Sequence, residues 1–310
     1  MNRLEAMQIY VRVAELASFT QAADSLGLPK ASISTAIKQL ESLLGTRLLN
    51  RTTRTVQMTQ DGVLFYERSK DMLADMDELQ TMFQQGEGEI SGRLRIDLPI
   101  GVARYILIPR LPEFLQGLPK LEVEISSTDR RVDLVREGFD CVMRIGALSS
   151  LGESALIARQ LGELRQINCV SPDYLARFGT PQSLDDLRQH RLIHYTANFG
   201  GKPVGFEYVD NGQNKTLKMT GSITVNNSDA YQAACLAGFG IIQVPVTGMQ
   251  RELIAAGRLV EILPAYTAQA MPVSLLYANR RHLPKRTQRL MNWIAEVMAP
   301  YLVSPDSRGT

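Results

Sequence analysis

The sequence predicts a helical N-terminal third and a larger α/β region of two lobes, joined by one long helix. Three observations point to this α plus α/β architecture. Apolar residues recur at three- and four-residue spacing up to about Gln85. Three glycines then fall within Gly86 to Gly92, which favours a linker because glycine is costly inside a regular element. Beyond the linker, short β-rich and helical runs alternate, as in a parallel α/β sheet.

Composition sets outer limits on function. The chain has 310 residues and is 45% hydrophobic, enough for two or three globular domains. Its 34 basic and 32 acidic residues give a net charge of +2, so a nucleic-acid role has to rest on local charge clusters.

The cysteines and the apolar runs predict a cytoplasmic protein. Cys141, Cys169 and Cys235 are odd in number and far apart, which fits neither a disulfide framework nor a metal site. The N-terminus lacks the uninterrupted apolar core of a signal peptide, and no stretch reaches the roughly 18 apolar residues of a membrane span. We therefore expect no membrane association.

A helix-turn-helix is predicted near the N-terminus. Ser18 to Gln21 fits an S-x-x-Q capping box and precedes a short helix that Gly27 would end. Pro29 falls where a first helical turn tolerates proline. The second helix is then LPKASISTAIKQLE, Leu28 to Glu41.

The second helix has one apolar face and one face of unusually small side chains. At about 100° per residue, Ile33, Ala36, Ile37, Leu40 and Leu44 share one side. Ala31, Thr35, Lys38 and Ser42 share the other, and Lys30, Ser32 and Ser34 flank them. A face of low relief with short donors and acceptors suits a helix lying in the DNA major groove.

Local charge agrees with a nucleic-acid interface. From Leu28 to Arg54 there are five basic residues and one acid, a local charge of +4 that duplex phosphates attract. The run NRTTRTVQMT, Asn50 to Thr59, predicts a two-stranded wing whose Arg51 and Arg54 reach phosphates or a minor groove. The alternatives are a helix-turn-helix inside an ordinary bundle and a merely solvated basic patch.

The segment SFTQAADSLGLPKASISTAIKQLESLLGTRLLNRTTRTVQMTQDG resembles the winged helix-turn-helix of LysR-type transcriptional regulators. The matched positions are Phe19, Thr20, Ala22, Ala23, Leu26, Ser34, Ile37, Leu40, Glu41, Leu44, Gly45, Leu48, Arg51, Arg54, Thr59 and Gly62. The resemblance covers essentially the whole chain. It implies DNA contacts at Ser18, Thr20, Lys30, Ala31, Ser32, Ser34, Thr35, Lys38, Arg51 and Arg54.

The resemblance also implies a domain plan. The winged helix-turn-helix would span residues 1–59, and a linker helix and hinge for dimerisation residues 60–91. Residues 92–310 would form a two-lobed effector domain like a periplasmic binding protein, with lobe I at about 92–162 plus 268–300 and lobe II at about 163–267. Its partners would be double-stranded promoter DNA, a small-molecule effector, and a second copy of the chain in a dimer or a tetramer.

Three positions depart from the family pattern. Lys30 and Ala31 stand where members commonly have Gln-Pro, and Thr35 stands where many have Arg, so base preference at these contacts cannot be copied. Lys30 and the RTTR run resemble a subgroup that includes regulators of organic-acid and aromatic-acid metabolism. An organic or aromatic acid is therefore one candidate effector.

The long helix predicted from Gln60 to Gln85 carries a coiled-coil pattern. Its seam lies at intervals of seven, four, three and four residues: Phe65, Met72, Met76, Leu79 and Phe83. Such a stripe predicts pairing with a second chain. The alternative is a helix packed on its own domain.

In the α/β region, polar or conformationally unusual residues follow the predicted strands, where ligands of two-lobed domains bind. The predicted helical runs include RRVDLVREG, Arg130 to Gly138. The candidate effector residues at strand ends are Pro99, Ile100, Gly101, Thr128, Asp129, Arg144, Gly146, Asn226, Ser228 and Pro245. The resemblance adds Ala197 and Asn198 on the hinge side.

Arg144 is the most specific of these candidates, because it interrupts an apolar strand and a half-buried guanidinium needs an acceptor. Its partner is either an effector carboxylate or an internal acid, Asp129 or Asp140. Asn226 and Ser228 could instead be helix caps.

Catalysis is disfavoured, and we expect no metal and no cofactor. His190, His194 and His282 lack metal-ligand spacing. The chain has no nucleophile elbow, P-loop or dinucleotide fingerprint. The sequence thus predicts a DNA-binding regulator. The alternatives are a small-molecule-binding protein with a vestigial DNA-binding head and a nonspecific nucleoid protein.

Overall fold

The computed structural model describes residues 2–51, 56–82, 90–134, 137–148, 156–196, 199–200, 204–278 and 283–303. Within these ranges no helix is both long enough and apolar enough to cross a bilayer.

The head is a winged helix-turn-helix, as predicted. Its elements are α1 (Arg3–Leu16), α2 (Phe19–Leu26), α3 (Lys30–Leu44), β1 (Leu49–Arg51) and β2 (Val56–Met58). The Ser18 hydroxyl accepts the Gln21 N–H at the start of α2, and Gly27 ends that helix with a φ of 63°. The two strands pair antiparallel to form the wing, with Leu49 opposite Met58.

The apolar face of α3 packs on α1 and α2. Ile33, Ala36, Ile37 and Leu40 are buried in the head core, as expected. Leu44 was wrongly predicted to join them and is 42% exposed. It is the last residue of α3, and the chain turns away at Gly45 with a φ of 68°.

The long helix α4 (Gln60–Met82) spans about 35 Å at the usual rise per residue. Its first turns pack on the head, since the buried Tyr10 hydroxyl donates to the Gly62 carbonyl over 2.8 Å. Phe65 meets the Tyr10 ring edge-on at 5.3 Å and joins the head core. Phe65 therefore packs on its own head, and its place in the dimer seam stays a prediction.

The rest of the predicted seam divides into three cases. Met72 is 50% exposed and Met76 is partly buried. The Leu79 side chain and Phe83 lie outside the described residues. Leu64, the residue immediately before Phe65, is 63% exposed and offers apolar surface that the sequence pattern did not single out.

The effector domain alternates strands and helices. The strands are β3 (Gly92–Leu98), β4 (Leu121–Ser127), β5 (Cys141–Ile145), β6 (Leu156–Leu164), β7 (Gln166–Val170), β8 (His194–Tyr195), β9 (Phe206–Asp210), β10 (Gln213–Leu217), β11 (Thr224–Val225), β12 (Ile242–Pro245), β13 (Val260–Glu261) and β14 (Met271–Ala278). The helices are α5 (Ile100–Val102), α6 (Ile108–Leu115), α7 (Pro172–Phe178), α8 (Ser228–Leu236), α9 (Gly248–Ala255) and α10 (Lys285–Met298). A π-helical turn, Ala103–Leu107, connects α5 to α6, and 3-10 turns cover Asp186–Gln189 and Ala299–Tyr301.

Lobe I is built on a five-stranded sheet in the order β4-β3-β5-β14-β6. The first three strands are parallel, as predicted, whereas β14 runs antiparallel to both neighbours, so the sheet is mixed. Its core combines strand residues with α6 and the buried face of α10, including Leu94, Ile96, Leu290 and Ile294.

Lobe II is built on the antiparallel sheet β12-β7-β13. Lobe II has two clusters of buried apolar residues. Cys169 and Ile242 belong to the first, and Tyr174 and Phe206 belong to the second. Burial raises the pKa of the Cys169 thiol to about 12, and that of Cys141 in lobe I likewise, so both thiols stay protonated.

The predicted helical run from Arg130 to Gly138 is not helical in its described residues, Arg130 to Leu134 and Glu137 to Gly138. Side-chain bonds stabilise another conformation. The Glu137 carboxylate accepts the Asp133 N–H and pairs with the Arg130 guanidinium.

We predict that Gly62→Ala unfolds the head. A Cβ at this position would lie 2.0 Å from the Leu48 carbonyl oxygen, so α4 would have to separate from the β1 end of the head. Val63→Ala, at the next and exposed position, is the matched control. Circular dichroism should show an early unfolding step for Gly62→Ala and a wild-type curve for the control. Equal melting of the two variants would contradict the predicted clash.

Candidate DNA-binding and effector sites

The outward face of α3 has the low relief that the sequence predicted. Lys30, Ala31, Ser32, Thr35 and Lys38 are exposed, and Ser34 is partly buried. The Thr35 hydroxyl donates to the Ala31 carbonyl over 2.9 Å. Its hydrogen is therefore used within the helix, and the face offers a methyl group and an acceptor at this point.

At the start of α2, the exposed Thr20 lies on the same part of the head, while the Ser18 hydroxyl caps the helix. The Arg51 backbone lies in β1, but its side chain and Arg54 lie outside the described residues.

Two residues that sequence reasoning did not assign support this interface. The Glu41 carboxylate accepts the backbone N–H groups of Leu48 and Leu49 over 2.9 and 3.1 Å, which ties α3 to the wing. Arg47 is exposed just before β1, where it adds to the positive charge. The basic run could have suggested Arg47, whereas the fold alone reveals the role of Glu41.

In the effector domain, the Asp129 carboxylate is a point of contact between the lobes. One oxygen accepts the Ile100 N–H at the start of α5 in lobe I over 3.0 Å. The other accepts the Ser228 N–H at the start of α8 in lobe II over 2.6 Å. Burial first, and then the charge of Asp129, raises the pKa of the nearby Tyr195 hydroxyl.

Pro99 and Gly101 flank this contact. Pro99 precedes α5, and a Cβ on Gly101 would lie 3.8 Å from the Ser228 hydroxyl oxygen. A second interlobe contact lies close by, where the Arg104 guanidinium pairs with the Asp229 carboxylate over 2.6 Å.

Arg144 has an internal partner, but neither of the two acids that the sequence suggested. Its Nη1 donates to Asp97 over 2.9 Å and to the Met143 carbonyl. Asp97 is fully buried in β3, and burial raises its pKa despite Arg144. Asp140 instead accepts the backbone N–H of Arg95, and Asp129 bridges the lobes. The sequence could not indicate Asp97, because its alignment with Arg144 depends on strand pairing.

The remaining predicted effector residues are scattered. The Thr128 hydroxyl accepts the Arg130 N–H, and Gly146 donates to the Pro272 carbonyl with a φ of 105°. Pro245 pairs with Gln166 at the end of β12. None of these three contributes a contact to Asp129 within the described residues, and Ala197 and Asn198 lie outside them.

The sequence offered Asn226 and Ser228 as caps of α8, and the observed cap lies between them. Asn227, rather than Asn226 or Ser228, is the N-cap, and its side chain accepts the Ala230 N–H over 2.8 Å. Asn226 is exposed, and Ser228 is the first helical residue.

A junction of charged residues connects the head to lobe I. In α1, Arg12 donates to Glu15 over 3.0 Å and to the Ser25 hydroxyl. The Glu15 carboxylate lies 3.8 Å from the Arg95 guanidinium of β3. Arg95 is held by Glu124 and by the carbonyls of residues 137 and 138. A strand of lobe I thus contacts a helix of the head.

Two cavities are found among the described residues, and neither is lined by a predicted effector residue, although Val246 of the first one follows Pro245. One of about 490 Å³ is lined by residues that include Arg165, Arg251 and Tyr301. The other, of about 500 Å³, is lined by residues that include Arg289 and Trp293. The region around Asp129 is occupied by the interlobe contacts themselves.

A winged helix-turn-helix, a long helix and a two-lobed domain together define a DNA-binding head fused to a ligand-binding domain. Family comparisons agree. Residues 4–63 match the model of the bacterial regulatory helix-turn-helix protein, lysR family, and residues 87–299 match the LysR substrate binding domain. The chain belongs to the LysR family of transcriptional regulators.

Relatives and solved structures are similar over nearly the whole chain. The HTH-type transcriptional regulator YhjC of Escherichia coli K12 is 49% identical and covers 97% of this chain and 100% of its own. The HTH-type transcriptional activator AaeR of the same strain is 30% identical and covers 96% and 94%. The structure of CrgA, a LysR-type regulator from Neisseria meningitidis, is 27% identical with a TM-score of 0.59 and covers 94% and 97%. Members of this family are transcription regulators that bind DNA and small-molecule effectors and form oligomers.

We predict that the Asp97–Arg144 pair is strongly coupled. Asp97→Ala should lower the free energy of unfolding by about 3 kcal/mol, because it leaves a largely buried guanidinium without its carboxylate. The double variant Asp97→Ala/Arg144→Met removes both charges and should recover much of that loss. Urea unfolding of the wild type, both single variants and the double variant measures the coupling, and simple additivity would contradict it.

Proposed function

We propose that α3 is the recognition helix of this regulator and lies in the major groove of promoter DNA. The observation that carries the proposal is the exposed, low-relief face of Ala31, Thr35 and Lys38 beside a tethered wing. Short side chains let a helix approach base edges closely, and the Thr35 methyl and acceptor suit contacts there.

We assign the flanking residues to the DNA backbone. The amines of Lys30 and Lys38 and the guanidinium of Arg47 are exposed cations that suit phosphate contacts, as do the hydroxyls of Thr20, Ser32 and Ser34. Ser18 acts through its cap, which fixes the start of α2. Arg51 and Arg54 complete the set as wing residues.

We assign dimerisation to the outward face of α4. Leu64 and Met72 expose apolar surface that a second copy of the helix would cover. Met76, Leu79 and Phe83 continue that stripe in the sequence. Two heads held in this way would read two half-sites of an operator.

We further propose that the Glu15–Arg95 junction transmits the state of the effector domain to the head. Arg95 contacts the carbonyls of residues 137 and 138, and the same segment begins at Asp129 in the interlobe contact. A ligand that changes the lobe contact would therefore displace the surface on which the head rests.

On this account the chain acts in the cytoplasm and catalyses no reaction. The alternative, a binding protein with a vestigial head, requires ligand affinity that DNA leaves unchanged. Selection of bound duplexes from a random DNA pool tests the proposal. Enrichment of a dyad supports it, whereas salt-sensitive binding without enrichment would leave only electrostatic attraction.

Lys38→Ala should weaken binding to the selected duplex and to unrelated duplexes by a similar factor. The loss of one phosphate contact per protomer should also lower the slope of log affinity against log salt by about 0.9 per protomer. Thr35→Ala should instead alter base preference and leave the slope unchanged. Fluorescence anisotropy over a salt series measures both. Lys218→Ala, an exposed lysine of lobe II, is the control and should match the wild type. A sequence-selective loss with Lys38→Ala would refute its phosphate role.

Gly138→Ala should open the junction. Its Cβ would lie 2.7 Å from Arg95 Nη1 and 2.8 Å from the Glu15 side chain, so the methyl group would displace the ends of both side chains from the junction. We expect faster hydrogen exchange in the second half of α1 and an altered DNA affinity. Gly117→Ala is the matched control, since Gly117 has a similar positive φ and nothing within 4 Å of the added methyl. The same exchange rates in both variants would rule out the junction.

A further inference from the structure

The carboxylate of Asp129 lies between the lobes, where the carboxylate of an acidic ligand would otherwise bind. It accepts two backbone N–H groups, from Ile100 over 3.0 Å and from Ser228 over 2.6 Å. Two converging amide donors are a usual means of binding a carboxylate. Here the protein supplies that carboxylate itself.

The donors come from both lobes, so the carboxylate also joins them. Ile100 begins the first helical segment of lobe I, and Ser228 begins α8 of lobe II. The adjacent Arg104–Asp229 pair connects the same two segments. An acidic effector at this point would have to displace Asp129 and would also meet the charge of Asp229.

Three of the cations near the contact are already paired with protein acids. Arg144 pairs with Asp97, Arg130 with Glu137, and Arg104 with Asp229. By contrast, the buried polar atoms without a hydrogen-bond partner among the described residues include the Ser228 hydroxyl oxygen and Arg144 Nη2, which a neutral ligand could bind.

We propose that Asp129 determines effector specificity by filling the anion position of the cleft with its own carboxylate. The effector of this regulator is then a neutral polar molecule, rather than one of the organic or aromatic acids that the sequence suggested. The inference rests on the proposed effector cleft and names the chemical class of its ligand. Asp129 also holds the lobes together in the absence of an effector.

Chemical rescue with formate tests the proposal in the full-length protein. Asp129→Ala removes a carboxyl group, and formate supplies a carboxylate of the same size to the vacated donors. The melting temperature of Asp129→Ala should fall below that of the wild type. It should then rise by several degrees in sodium formate relative to sodium chloride at equal ionic strength, because formate binds the folded state. The wild type should not respond to formate.

Two variants serve as controls. Asp129→Asn fills the same space without the charge and should gain nothing from formate. Asp185→Ala removes an exposed carboxylate paired with Arg188 and should behave as the wild type does. Equal responses of Asp129→Ala and Asp185→Ala to formate would overturn the proposal.

The wild type provides a second test that does not depend on a folded Asp129→Ala. Formate, acetate and benzoate should leave its melting temperature unchanged, and stabilisation by benzoate beyond that by benzamide would overturn the proposal. DNA selection stays a separate readout. If formate fails to rescue Asp129→Ala but the selection enriches an operator, only the role of Asp129 is refuted. If formate rescues the variant but no operator is enriched, only the regulator function is refuted.

Discussion

The arrangement of both candidate sites depends on strand β3, which passes from the head contact to the interlobe contact in a few residues. Its Arg95 lies beside Glu15 of α1, and its Asp97 binds Arg144 of the neighbouring strand. Pro99 and Ile100 follow at its end, where the Ile100 N–H meets Asp129. The distance along the strand is only about 16 Å at 3.3 Å per residue. Because Leu94, Ile96 and Leu98 alternate into the core of lobe I, these polar residues are fixed to a rigid support.

A second segment of the chain connects the same two contacts. The segment from Asp129 to Gly138 begins at the interlobe contact and ends against Arg95, with Arg130 and Glu137 paired along its length. A change at Asp129 therefore has two routes to the same guanidinium, each made of a stretch of chain and a hydrogen bond. Such an element can bias the position of the head only if the two states of the lobes differ in their contacts with it. We propose that the interlobe bonds of Asp129 provide that difference.

Local sequence patterns predicted the local elements well, because their causes lie within a few residues. The helix-turn-helix followed from Ser18, Gly27 and the apolar spacing of α3, and the wing followed from alternation. Long-range partners were not predictable in this way. Arg144 binds Asp97 because β3 and β5 pair in one register, and Phe65 turns to Tyr10 because Gly62 seats α4 on the head. The helix expected after Arg130 does not form, because Glu137 makes side-chain bonds to this segment. Sequence periodicity does not predict such bonds. At α8 the choice among three polar residues, Asn226, Asn227 and Ser228, depended on a backbone turn.

The central claim is that the contact between the lobes sets the position of the heads on DNA. The most direct measurement is a footprint of wild type and Asp129→Ala on one selected operator, with small-angle scattering of both proteins in parallel. We predict that Asp129→Ala separates the lobes, seen as a larger radius of gyration, and changes the length or the cleavage pattern of the footprint. An unchanged footprint despite separated lobes would contradict the account, because the head would then be insensitive to the effector domain.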